Sequence, residues 1–232
     1  MLRLFLSLLL ILTLQGCAGL SIINESGYSQ MAKQLPNELN KHNLPTERTE
    51  YESALVKSKE PYGQILFRQL SPTFIQGHMA QYYLGETFAD TMQPRRSTVV
   101  HKQNGFVITH VSQIINVEML AIADWNHDGD KEWIVSCKVT PRRGGHVKTW
   151  YLLVPPPLNS SEILQGTPFA IQDCLGTSCT VDIRPSDNIM RSKSSDNTPK
   201  TIVNEFKPGE AAVTAPPSNE PKNNTTIQER NI

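Results

Sequence analysis

The sequence has no excess of charge of either sign, since 22 basic and 22 acidic side chains balance among its 232 residues. A nucleic-acid-binding protein usually carries a basic face, so this balance argues against nucleic acid as a partner. Long hydrophobic runs are also missing. The mostly apolar stretch at residues 4–14 has eleven residues, whereas a helix needs about 20 to cross a bilayer. With 38% hydrophobic residues, the chain is nevertheless apolar enough to fold.

Familiar catalytic and cofactor-binding motifs are missing as well. The sequence contains no G-x-S-x-G, no H-E-x-x-H, no P-loop and no G-x-G-x-x-G. This favours a binding or structural role over catalysis. A hydrolase acting on cell-wall or extracellular polysaccharide remains the alternative, because paired catalytic carboxylates leave no local signature in a sequence.

The N-terminus indicates an export signal followed by a lipid anchor. Arg3 precedes the apolar stretch, whose length is typical of a signal peptide. The stretch ends at residues 14–17, Leu-Gln-Gly-Cys, which resemble the lipobox of bacterial lipoproteins. The resemblance implies that residues 1–16 are removed and that Cys17 is lipidated. The rival interpretation is ordinary signal-peptidase cleavage after Ala18.

The residue after the cysteine bears on localisation. In the lipoproteins that this N-terminus resembles, an Asp at that position favours retention in the inner membrane, and here the residue is Ala18. The resemblance therefore implies a lipoprotein of the cell envelope, in the outer membrane and facing the periplasm. Its expected partners are the membrane, through the lipid anchor, and an envelope protein. A small component of a secretion or conjugation machine is a further alternative.

Composition divides the rest of the chain into three parts. Residues 17–45 are rich in polar side chains and contain two prolines, which predicts a lipidated tether with one helical turn near residues 30–35. Residues 46–190 form the predicted β domain, which begins with a short helix within 46–59. Residues 191–232 have too little apolar area to offset the entropy of ordering, so we expect a disordered tail.

The predicted domain is all-β, because short β-branched and apolar runs alternate with turn signals. Asn104-Gly105 is a strong hairpin signal between two of these runs. We expect an antiparallel meander, a small sandwich or a partial propeller-like sheet. The predicted strands lie at residues 64–70, 79–88, 97–103, 106–111, 117–123, 133–139, 147–154 and 180–183.

An acidic loop follows the strand predicted at 117–123. Residues 124–132 read Asp-Trp-Asn-His-Asp-Gly-Asp-Lys-Glu, with oxygen-bearing side chains at alternate positions and Gly129 where the chain turns. A tightly curled loop of this kind supplies the six to eight oxygens that Ca²⁺ prefers. An EF-hand is disfavoured, because its position 12 needs a bidentate Glu and this sequence has Val135 there.

The loop with its flanking strands resembles the calcium loop of FG-GAP and VCBS repeats, which occur in integrin-type propeller blades. The resemblance covers about 30 residues of the 232, and it implies calcium as the cofactor. It makes the side chains of Asp124, Asn126 and Asp128 ligands, gives Asp130 a ligand role through its backbone carbonyl, and places Glu132 where Asp is more usual. The alternative is an acidic turn whose side chains bond their own backbone as Asx-turns.

The cysteines after the anchor have different expected roles. Cys174 and Cys179 lie five residues apart in a compartment that favours disulfides, so we expect a bridge between them. In the strand predicted at 133–139, alternation puts Trp133, Val135 and Cys137 on one face. We therefore expect Cys137 to be a buried, inert thiol.

Overall fold

The computed structural model describes residues 19–75, 85–92 and 96–184. The signal peptide expected at 1–16, Cys17 and the tail expected at 191–232 lie outside these ranges. The same is true of most of the strand predicted at 79–88. Within the described residues, no helix is long and apolar enough to cross a membrane.

Eight described strands form one antiparallel sheet, which confirms the predicted meander. The seven longer strands pair in sequence order from β2 to β8, and the short β1 pairs with β4. β7 and β1 were not predicted. The strands are β1 (Ser21–Ile22), β2 (Ser97–Lys102), β3 (Gly105–His110), β4 (Gln113–Ala123), β5 (Glu132–Pro141), β6 (Val147–Val154), β7 (Thr167–Leu175) and β8 (Ser178–Ile183).

The helices are short and precede the long strands in the chain. They are α1 (Glu25–Gln34), α2 (Pro36–Lys41), α3 (Arg48–Tyr51) and α4 (Tyr62–Gln69), with 3-10 turns at Glu52–Ala54 and Pro72–Phe74. The strand predicted at 64–70 is wrong, because this segment belongs to α4. Its buried residues Tyr62, Leu66 and Gln69 follow helical spacing.

Residues 19–45 were expected to form a tether, and the structure shows instead that they are folded. Asn24 caps α1 by accepting the Gly27 N–H, and the helix packs its apolar side on the sheet. Tyr28 and Met31 have no exposed surface. The polar composition of the segment therefore reflects a surface helix with one buried face.

Each face of the sheet has its own hydrophobic core. One core packs α4 against Val117, Trp133 and Cys137, which confirms the alternation predicted for β5. The other packs α1 and α2 against the opposite face, including Ile134 and Tyr151. A β-bulge in β4 between Met119 and Ala121 shifts the pairing with β5, so that the consecutive residues Leu120 and Ala121 are buried in the same core.

The β2–β3 hairpin was predicted correctly, but its turn is one residue earlier than the sequence suggested. Lys102 pairs with Gly105, so the turn residues are Gln103 and Asn104. Gly105 is a strand residue at which a Cβ would lie 2.2 Å from the Val117 carbonyl oxygen. Close packing, and not a left-handed turn conformation, therefore requires this glycine.

Candidate functional site in the acidic loop

The acidic loop connects two neighbouring antiparallel strands. β4 ends at Ala123, which pairs with Glu132 at the start of β5. The eight residues between them must reverse the chain, and two adopt positive φ angles: 58° at His127 and 91° at Gly129. Glycine adopts this conformation at little cost, so the predicted turn at Gly129 is confirmed.

Side-chain oxygens inside the loop hold its backbone amides. Asp124 accepts the N–H groups of Asp128 and Gly129, both at 3.1 Å. Asn126 Oδ1 also accepts the Asp128 N–H, at 3.2 Å. Asp128 in turn accepts the N–H of Asp130 at 2.8 Å and the side-chain amide of Asn126 at 3.0 Å. These bonds place the oxygens of Asp124, Asn126 and Asp128 on the inner side of one curled loop.

Glu132 lies at the end of the loop, as the first residue of β5. It is 8% exposed, and its Oε2 accepts the Trp125 N–H at 3.0 Å. Burial raises the pKa of Glu132 above its usual value; the bond from Trp125 opposes the rise, and the negative charges of Asp128 and Asp124 add to it. The Glu132 carboxylate therefore interacts unfavourably with those of Asp128 and Asp124.

The loop is anchored to the N-terminal helices through Trp125. Its ring is 1% exposed and stacks on His42 with centroids 4.0 Å apart, while Phe169 packs at 4.4 Å. His42 Nδ1 donates to the Trp125 carbonyl oxygen at 2.8 Å. Asn43 and His127 also approach within 3.3 Å. Sequence reasoning missed His42, because it lies 83 positions from Trp125 in a segment that we expected to be a tether.

The residues of the predicted calcium set lie together, and they include donors of different kinds. Among the described residues, no three His, Cys, Asp or Glu side chains form a group that could hold a metal ion. The carboxylates of Asp124, Asp128 and Glu132 therefore do not form such a group by themselves, and the predicted set adds the Asn126 amide oxygen and the Asp130 backbone carbonyl to them. Carboxylate, amide and carbonyl oxygens are the donors that suit Ca²⁺. The donor chemistry of the loop therefore fits calcium.

The expected disulfide is present at the opposite end of the sheet. Cys174 and Cys179 are bridged across the β7–β8 hairpin, where they are directly paired. Cys137 is a free thiol without exposed surface, and burial raises its pKa. A thiol that resists ionisation is a poor nucleophile, so Cys137 serves as a core residue.

Comparison of the chain with models of known protein families, with curated proteins and with solved structures finds no match.

Proposed function

We propose that this protein is a bacterial envelope lipoprotein, lipidated at Cys17 and facing the periplasm from the outer membrane. Its folded domain acts as a binding or structural module for another envelope protein. Calcium bound by Asp124, Asn126, Asp128, Asp130 and Glu132 stabilises the β4–β5 connection.

One observation supports the calcium part of this proposal: hydrogen bonds curl the loop so that side-chain oxygens of Asp124, Asn126 and Asp128 lie on its inner side. The negative charges of Asp128 and Asp124 also repel the Glu132 carboxylate, which adds to the rise that burial causes in the pKa of Glu132. A divalent cation would neutralise this repulsion. The loop also joins two neighbouring strands of an antiparallel meander, as the resemblance to FG-GAP and VCBS repeats implies.

A binding role is preferred to hydrolysis because of where the carboxyl group with a raised pKa lies. A glycoside hydrolase needs two carboxyl groups facing each other across a cleft, one of them with a raised pKa. The described carboxyl with a raised pKa is Glu132, which bonds the Trp125 backbone within its own loop. This geometry supports a role for Glu132 in holding the loop and not in protonating a substrate.

Calcium should stabilise the folded domain by a measurable amount. Extracellular modules of this kind bind calcium with dissociation constants of about 10⁻⁴–10⁻³ M. Free calcium at ten times the dissociation constant then adds about 1.4 kcal/mol to the free energy of unfolding. For a domain of this size, that corresponds to an increase of about 2–6 °C in the melting temperature.

Thermal unfolding in calcium and in chelator tests the proposal. The wild type should melt several degrees higher in calcium, and Asp128→Ala should abolish this difference, because it removes a charged ligand from the centre of the loop. Lys131→Ala is the matched control. It changes an exposed residue of the same loop that is outside the ligand set, so the calcium effect should persist. Equal melting temperatures of the wild type in calcium and chelator would show that the loop is an acidic turn.

A further inference from the structure

We infer that the lipid anchor places one particular end of the sheet directly on the membrane: the end that carries the β4–β5 loop. The strands then stand upright on the bilayer, and the β5–β6 turn points away from it. The inference rests on the proposed lipidation of Cys17 and adds the orientation of the domain. Its partner at this end is a lipid surface.

The chain is fixed in the fold from its first described residue. A Cβ at Gly19 would lie 3.8 Å from the Asp124 Cβ, so the backbone runs alongside the acidic loop. Ser21 pairs with Ile122 at the loop end of β4. Just beyond, the N–H groups of residues 23 and 24 both donate to the Leu120 carbonyl oxygen, at 2.9 and 3.0 Å. The N-terminus therefore enters the fold at the loop.

The chain has only a short reach between the anchor and this point. Only Ala18 lies between Cys17 and Gly19, and the two residue steps that join them span at most about 7 Å when extended. A lipid on Cys17 therefore holds Gly19 close to the headgroups. A tether as far as residue 45 would have allowed any orientation, but residues 19–45 are folded against the sheet.

The surface held at the membrane can be defined by its residues. A cavity of about 320 Å³ lies beside the anchor point, between the N-terminal segment and the acidic loop. We call this surface the anchor end. It consists of the β4–β5 loop, residues 124–131, and of the N-terminal residues that line the cavity: Gly19, Leu20, His42, Asn43, Leu44 and Pro45.

The opposite end of the sheet is far from the bilayer. β5 has ten residues, and a strand of that length spans about 33 Å. The turn after β5 carries the exposed Arg142 and Arg143. The bridged Cys174–Cys179 hairpin lies at the same end, because Cys174 pairs with Val147 just after that turn. This distal end is the part of the domain that an envelope partner can reach.

Depth-dependent fluorescence quenching tests the orientation. Two variants, Lys131→Cys at the anchor end and Arg143→Cys at the distal end, each add one exposed thiol. The native thiols do not compete for the fluorophore, because Cys137 is buried, Cys174 is bridged and Cys17 is acylated under the proposal. The labelled mature chain is reconstituted in phosphatidylethanolamine–phosphatidylglycerol vesicles with headgroup-nitroxide lipids, at millimolar calcium.

We expect the label at residue 131 to lose most of its fluorescence and the label at residue 143 to keep it. Equal quenching at both positions, no quenching at either, or stronger quenching at 143 would overturn the orientation.

A second preparation separates this inference from the proposed lipidation. A Cys17→Ser chain that begins at residue 17 can be oxidised at its N-terminal serine with periodate and coupled to an aminooxy-lipid. This attaches an anchor without cellular processing, so the same two labels report on orientation. If the protein from cells carries no lipid, the proposed function fails. The chemically anchored chain then still supports or overturns the geometric inference by the same quenching pattern.

Discussion

Glu132 is the residue at which the electrostatics of the acidic loop are easiest to test. Its carboxylate is held by the Trp125 N–H but lies near two other negative charges, and burial raises its pKa from 4.5. A carboxyl whose pKa is higher in the folded state binds its proton more tightly there. Its contribution to stability is therefore greatest below pH 4.5 and is lost as the pH rises through the raised pKa.

Glu132→Gln removes this charge and keeps an oxygen that can accept the Trp125 N–H. In chelator at pH 7, we expect the variant to be more stable than the wild type by about 0.5–1 kcal/mol. The gain should shrink as the pH falls towards 4.5, because the wild-type carboxyl then becomes neutral as well. Urea unfolding across this pH range measures both effects.

Glu52→Gln serves as the control for charge alone, since Glu52 is exposed and lies outside the loop. It should change stability little at either pH. A gain for Glu132→Gln that does not vary with pH would contradict the assignment of the effect to carboxylate charge.

At the scale of residues, the sequence predicted the positions of side chains that depend only on local spacing. Asp124, Asn126 and Asp128 lie where alternation along a short loop puts them. Trp125 and His42 could not be predicted as a pair, because their contact requires the helices to fold over the loop. Gly105 shows the same limit, since its requirement for glycine comes from the Val117 carbonyl oxygen on the next strand.

At the scale of elements, strands were predicted more successfully than helices. The strands from Ser97 to Val154 follow β-branched runs separated by turn signals. Of the six connections between consecutive strands from β2 to β8, five are hairpin turns or loops of at most eight residues. The run at 64–70 was misassigned because a short apolar segment fits either a strand or a buried helix. Packing decides in favour of α4: a Cβ at Gly63 would lie 2.0 Å from the Gly105 carbonyl oxygen, so the helix sits directly on the β2–β3 hairpin.

The N-terminal helices allow a direct test of the folded segment at residues 19–45. Met31 in α1 has no exposed surface and belongs to the core on that face. Met31→Ala should reduce the free energy of unfolding by about 2–5 kcal/mol, because it removes buried apolar area and leaves a cavity. Chemical denaturation of the mature chain measures the change.

Gln30→Ala is the matched control for helix propensity, since Gln30 is the preceding residue of the same helix and is exposed. It should leave stability nearly unchanged. If Met31→Ala were equally neutral, residues 19–45 would be a tether, as their composition first suggested.

At the scale of the whole molecule, one open antiparallel sheet is covered by helices on both faces. The meander followed from the sequence, but the two-sided covering did not. Helices α1 and α2 expose mostly polar residues and bury only five: Tyr28, Met31, Ala32, Glu38 and Leu39. Their packing on β4 and β6 also removes the freedom between anchor and domain that a tether would provide.

The intact mass of the mature protein extracted from membranes tests whether Cys17 carries the lipid anchor. We expect a chain that begins at Cys17 and carries a diacylglyceryl group and an N-acyl group on that residue. Ordinary signal-peptidase cleavage after Ala18 would instead leave a chain that begins at Gly19 without lipid. A mass that matches this unmodified chain would contradict both the envelope anchor and the orientation that it imposes on the domain.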